Sequence, residues 1–206
     1  MLVDRYDLFI FDWDGTLSTS TSLLKALRLL NRRYSVARIT GNKELYKIDT
    51  VPQFRRKEEI NKIYALTYGF YSVFYKPRLK PGVIELLKHL KQKGKKIAIF
   101  SDANRHRLFI EAKRFGVLEH VDFVLSADSI KRYKPNPTGL MMIVDRFKYR
   151  KNRCIYVGDM ASDVFTARFA GITCCAVGDG VDPYYVLRKV NPDYIVNDLK
   201  SLKSIK

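Results

Sequence analysis

Three cysteines in a chain of 206 residues are too few for a disulfide scaffold, and two of them, Cys174 and Cys175, are adjacent, with Cys154 apart. Neighbouring cysteines rarely bridge each other, and no metal-type spacing is present. The pattern is that of small buried thiols in a reducing cytoplasm. Histidine is also scarce: His89, His106 and His120 are dispersed and make no catalytic set. No apolar run approaches the ~20 residues of a membrane span, and Asp4 and Asp7 interrupt any secretory leader. There is no internal repeat and no low-complexity stretch. Acidic residues are the last shortage, 21 against 38 Lys and Arg, for a net charge of +17. An excess of that size points to anionic partners, whether phosphorylated metabolites, nucleic acid or an acidic membrane surface, without choosing among them. With 47% hydrophobic and 29% charged residues the chain is globular and not disordered. Its length suits one domain with a modest insertion, or two small domains.

Short apolar runs recur at 7–11, 97–100, 121–125, 154–157, 172–177 and 194–196. Between most of them lie helical patterns. One carries Val83, Leu86, Leu87 and Leu90 on a single face and stops at Gly94, one spans 104–115 before Gly116, and one runs to Ala170 before Gly171. Asn136 can cap a further helix with Pro137 in its first turn. Strands alternating with helices predict a mainly parallel sheet covered on both faces and joined by right-handed crossovers.

Residues 17–80 break this rhythm. They hold no clear buried strand and two helical patterns, about 20–34 and 56–76, so they read as a helical domain inserted between the first two strands. The core is then 1–16 with 81–206. The insertion carries fourteen Lys and Arg against four acids, ten of the seventeen net positive charges. Such a surface is either simply solvated or an electrostatic funnel for an anionic substrate.

In a parallel sheet, ligands bind beyond the C-terminal strand ends, near the switch in strand order. The polar groups there are Asp12 and Asp14 after the first strand, Ser101 after the second, Lys134 in the loop after the third, and Asp159 after the fourth, with Asp163 one helical turn on. Two converging carboxylates need a proton or a cation between them. With Asp159 added, an oxygen-rich set favours Mg²⁺. Lys134 supplies fixed positive charge, Ser101 a donor, and Gly15 a tight turn that leaves amides facing an anion. Such a site suits a phosphoryl group, whose transfer depends mostly on positioning and charge neutralisation.

These residues resemble the haloacid dehalogenase-like superfamily of phosphatases. Its four signatures stand in order as Leu8-Phe-Ile-Phe-Asp12-Trp-Asp14-Gly15-Thr16, Ile97-Ala-Ile-Phe-Ser101, Lys134-Pro135 and Gly158-Asp159-Met-Ala-Ser-Asp163. The resemblance implies a Rossmann-like three-layer α/β/α core with an inserted helical cap. It implies Asp12 as the nucleophile that forms an aspartyl-phosphate, and Asp14 as the acid for the leaving alcohol and then the base for water. Ser101 and the Asp102 backbone would hold phosphate, with Lys134 neutralising it. Mg²⁺ would be bound by Asp12, the Asp14 carbonyl and Asp159. Asp163 reads equally as a helix N-terminal acid or as a group orienting that shell. An acid at position 14 suits ester hydrolysis or mutase chemistry rather than dehalogenation. Two departures from the pattern are the bulk of Trp13 and the charge of Asp102, whose side chain is expected to turn away from phosphate. The resulting expectation is a Mg²⁺-dependent phosphatase for a small phosphorylated metabolite. A phosphomutase, or a basic nucleic-acid-binding protein on the same scaffold, is the alternative; no nucleic-acid motif is recognisable.

Overall fold

The run Leu8-Phe9-Ile10-Phe11 has no polar face, so it suits a strand covered on both sides. The computed structural model describes residues 2–19 and 77–203 and places that run, β1 (Leu8–Phe11), inside a six-stranded sheet. The others are β2 (Lys96–Ser101), β3 (Phe123–Ser126), β4 (Cys154–Gly158), β5 (Thr173–Val177) and β6 (Tyr194–Val196). Their order is β3-β2-β1-β4-β5-β6, with every pairing parallel. The chain moves outward from β1 through β2 to β3, then returns to the other side of β1 as β4. That reversal opens a crevice at the C-terminal ends of β1, β2 and β4.

The helices among the described residues are α1 (Leu2–Arg5), α2 (Val83–Gln92), α3 (Arg105–Arg114), α4 (Ala127–Ile130), α5 (Thr138–Phe147), α6 (Ala161–Ala170) and α7 (Tyr184–Val190). Strand side chains alternate between two buried clusters. Leu8, Ile10, Phe100 and Tyr156 pack with Leu140, Ile143, Val164 and Leu187 from α5, α6 and α7. Phe9, Phe11, Ile99 and Val157 pack with Val3, Leu86, Leu90 and Leu108 from α1, α2 and α3. This is the expected three-layer α/β/α architecture. No helix among the described residues is long and apolar enough to cross a membrane.

Element ends follow local chemistry. The Asn104 carboxamide accepts from the His106 and Arg107 amides to start α3, and Gly171, at φ 71°, ends α6. Asn136 accepts from the Thr138 amide, so its capping bond is made although α5 begins only at Thr138. β3 starts at Phe123, two residues into the apolar run, and just before it the Asp122 carboxylate accepts the Ile97 amide. α1 has no counterpart in the sequence reading; Leu2 and Val3 are nonetheless buried.

Of the segment 17–80, residues 20–76 lie outside the described residues, and with them the two helical patterns. Its ends are described. The Thr19 amide donates to the Arg78 carbonyl and the Lys80 amide to the Leu17 carbonyl, so outgoing and returning strands of chain run antiparallel side by side. The segment therefore leaves and rejoins the core at one place, directly after the Asp12 loop. Leu17 itself is part of the core cluster.

One contact carries a prediction. An added methyl at Gly139 on α5 would overlap the buried ring of Phe100. Gly139→Ala should cost about 1–3 kcal/mol through overpacking. A drop in Tm by thermal unfolding checks it, and an unchanged Tm would contradict this close helix–sheet packing.

Candidate active site

β1 ends at Phe11, and the next amide, of Asp12, donates to the Val157 carbonyl of β4 at 2.9 Å. That bond fixes Asp12 at the crevice. Lys134 reaches it from the loop after α4: its Nζ lies 2.6 Å from Asp12 Oδ1 and 2.7 Å from Asp163 Oδ1. The ammonium is fully buried and sits 5.7 Å and 5.4 Å from the ring centres of Phe100 and Tyr156. Its own position is set by Asp102, whose carboxylate accepts the Lys134 amide at 3.1 Å. The Asp102 carboxylate thus engages the lysine loop. The Lys134–Pro135 peptide bond is cis.

Asp163 divides its two oxygens between the start of α6 and the crevice. Oδ2 accepts from the Asp159 and Met160 amides, capping α6, while Oδ1 takes Lys134 and the Tyr156 hydroxyl at 3.1 Å. The Tyr156 phenol is pushed well up, first by burial and then by Asp163, so it stays a donor. Asp159 accepts from the Thr16 hydroxyl at 2.8 Å and the Val181 amide at 2.6 Å. A methyl at Gly15 would overlap the Asp159 carboxylate, and Gly15 adopts φ 90°, so glycine is needed there on both counts. Ser101 is buried at the end of β2, and its hydroxyl oxygen accepts the Ala103 amide at 3.1 Å.

Carboxylate oxygens of Asp12, Asp159 and Asp163 lie within 4.8 Å of one another. The consequence is visible at Asp159, pushed up to about 8 by burial, then by Asp12 and Asp163. Among the described residues, the three carboxylates face one contacting ammonium, that of Lys134. An all-oxygen donor set that is short of positive charge fits a hard divalent cation.

Asp14 is held apart from this trio. Arg107 on α3 grips it bidentately: Nη1 donates to Oδ1 at 2.8 Å and Nη2 donates to Oδ2. The same Nη1 lies 3.3 Å from Glu111 Oε1, and Glu111 accepts the Trp13 indole N–H at 2.7 Å. Burial raises the Glu111 carboxyl despite Arg107. Trp13 is completely buried, with its ring stacked on that of Phe115.

The structure brings together Asp12, Lys134, Asp159 and Asp163, with Ser101 and Asp102 at the neighbouring strand end. It adds Arg107, Glu111, Tyr156 and Thr16, which sequence reasoning gave no role. A signal existed for one pair: Arg107 and Glu111 are four apart on the helix that follows Ser101.

Comparison with known proteins agrees with this geometry. Residues 9–177 match the haloacid dehalogenase-like hydrolase family. The chain is 28% identical to the pyrophosphatase PpaX of Halalkalibacterium halodurans, over 95% of this chain and 94% of that protein. It is also 28% identical to a phosphoglycolate phosphatase of Nitrosococcus oceani, over 99% of this chain and 98% of the relative. Its fold matches that of a haloacid dehalogenase-like family hydrolase from Streptococcus pneumoniae with a TM-score of 0.69 at 18% identity, covering 98% of this chain and 100% of the other. With signatures, fold and site geometry in agreement over most of its length, the chain belongs to the haloacid dehalogenase-like hydrolases.

Proposed function

We propose that the protein is a Mg²⁺-dependent phosphatase of small phosphorylated metabolites that works through an aspartyl-phosphate on Asp12. The observation that carries this reading is Lys134 lying 2.6 Å from Asp12 and 2.7 Å from Asp163, beside the buried Asp159. A carboxylate oxygen pinned by a buried ammonium is aimed and electrostatically compensated for attack on a phosphoryl group. The names of the two curated relatives, a pyrophosphatase and a phosphoglycolate phosphatase, lie in the same substrate class.

In the first step the Asp12 oxygen bonds to phosphorus as the bond to the leaving oxygen breaks, and Asp14 gives that oxygen a proton. In the second, Asp14 takes a proton from water as the water oxygen bonds to phosphorus. The bond to Asp12 breaks and its carboxylate returns with inorganic phosphate. Lys134 compensates charge on the equatorial phosphoryl oxygens, with Ser101 and the Asp102 backbone at the phosphate end. Asp12, Asp159 and the Asp14 carbonyl would hold Mg²⁺, whose contribution is to neutralise phosphoryl charge. Asp163 would orient, its two oxygens being engaged by Lys134, Tyr156 and two amides. Residues 17–80 would form the cap, its excess of basic residues drawing anionic substrate to a site its ends adjoin.

Phosphate release from p-nitrophenyl phosphate, phosphoglycolate and pyrophosphate, with Mg²⁺ and with EDTA, tests the reading. Mg²⁺-dependent release is expected, and release unaffected by EDTA would overturn the metal assignment. A second expectation concerns stability. The Asp159 carboxyl stands at about 8, above its usual 3.8. Without cation, its proton therefore favours the fold below pH 4, and that contribution fades as pH rises through 8. A divalent cation competes with this proton, so the rise in Tm on adding Mg²⁺ should be larger at pH 8 than at pH 5. An equal rise at both pH values would contradict binding at Asp159.

A further inference from the structure

The chemistry proposed for Asp14 conflicts with how Asp14 is held. An acid–base group needs an oxygen facing the leaving oxygen and later facing water. Both oxygens of Asp14 instead accept from Arg107, in a bidentate pair largely shielded from solvent, with side chains 7% and 12% exposed. Pairs of this kind are among the strongest side-chain hydrogen bonds and are not given up without a replacement for the anion.

We propose that Arg107 is a specificity residue whose ligand is a second anionic group on the leaving group, and that taking this ligand releases the Asp14 oxygens to face the leaving oxygen. The inference rests on the phosphatase reading. Two features favour exchange over a fixed pair. Glu111 lies 3.3 Å from Arg107 Nη1, so the guanidinium keeps an anionic neighbour while it changes partner. Glu111 is itself anchored by the Trp13 indole at 2.7 Å, and Trp13 is next in sequence to both Asp12 and Asp14. Arg107 therefore turns about a fixed point rather than leaving the site. The leaving oxygen must lie beside Asp14, so the anionic group that meets Arg107 lies within one or two bonds of that oxygen. A carboxylate or a second phosphoryl group meets this condition, whereas a neutral alcohol leaves Arg107 on Asp14 and both Asp14 oxygens engaged.

Three substrates separate these cases: phosphoglycolate, its isostere 2-phosphoglycolamide, which lacks the carboxylate charge, and pyrophosphate. A charge-assisted pair gained only with the anion should favour phosphoglycolate over the amide by about 10- to 100-fold in kcat/KM. Arg107→Gln should collapse that ratio to below about 3-fold, raising KM for phosphoglycolate and, with Asp14 no longer engaged, raising kcat for the amide, and Arg107→Lys should keep an intermediate ratio. Pyrophosphate identifies the anion: loss of its advantage over the amide in Arg107→Gln assigns a phosphoryl ligand, and loss for phosphoglycolate alone assigns a carboxylate. A second readout needs no turnover. Trp13 is the sole tryptophan, so in the Asp12→Asn protein its fluorescence should change with phosphoglycolate and stay constant with the amide.

Two results would overturn the inference. One is a wild-type enzyme with no preference for either anionic substrate. The other is an Arg107→Gln enzyme in which all rates fall together, which would make Arg107 a mere support for Asp14. Absence of release from every substrate, p-nitrophenyl phosphate included, would instead sink the phosphatase reading and the inference with it.

Discussion

Asp12→Asn should abolish turnover, lowering kcat by about four orders of magnitude or more, as loss of a covalent nucleophile does, while the protein stays folded. The amide keeps the shape of the carboxylate but cannot form the acyl phosphate. Stability should hold because Asp12 sits in an overcrowded acid cluster. Its charge is one of the causes that push Asp159 up to about 8, so removing it relieves repulsion. Lys134 retains Asp163 at 2.7 Å. Steady-state kinetics and thermal unfolding without metal should therefore diverge, with activity gone and Tm unchanged or slightly raised. A parallel loss of Tm would mean that Asp12 is chiefly structural.

Lys134→Met should do the opposite to stability. It removes the buried ammonium between Asp12 and Asp163, each less than 3 Å away. Uncompensated buried carboxylates cost about 3–5 kcal/mol, which for a domain of this size is a fall in Tm of roughly 6–20 °C. The deficit should shrink on going from pH 8 to pH 5, because protonation relieves the same repulsion. Activity should fall by about 10²- to 10³-fold from lost charge stabilisation. Lys134→Arg should rescue neither property. The ammonium is fully enclosed beside the rings of Phe100 and Tyr156, and a planar guanidinium overfills that space. Chemical unfolding at two pH values measures the first effect, and a deficit independent of pH would contradict its electrostatic origin.

The fold was legible because its strands are short, apolar and bounded by glycine, aspartate and proline. In β1, Leu8 and Ile10 face one layer while Phe9 and Phe11 face the other, and a run buried on both sides is what four apolar residues in a row encode. The polar strand ends were legible for a related reason. A carboxylate at the end of a buried strand has no structural use that a neutral residue would not serve better. Side-chain partnerships were not legible. Lys134 and Asp163 meet only because the loop after α4 and the start of α6 converge beneath β1, which no local pattern encodes. Arg107 and Glu111 look like an ordinary helix-surface pair until α3 turns them inward beneath Asp14 and Trp13. Asp163 was ambiguous because its two oxygens divide, one accepting the amides that start α6 and the other meeting Lys134.

The most direct measurement is to trap the covalent intermediate. Enzyme mixed with Mg²⁺ and substrate, quenched in acid during turnover and digested, should carry the mass of one phosphoryl group on the peptide containing Asp12. That mass should be absent in Asp12→Asn and should accumulate in Asp14→Asn with p-nitrophenyl phosphate, whose leaving group departs without an acid while water lacks its base. A phosphoryl group on any other residue, or undiminished hydrolysis by Asp12→Asn, would contradict the account.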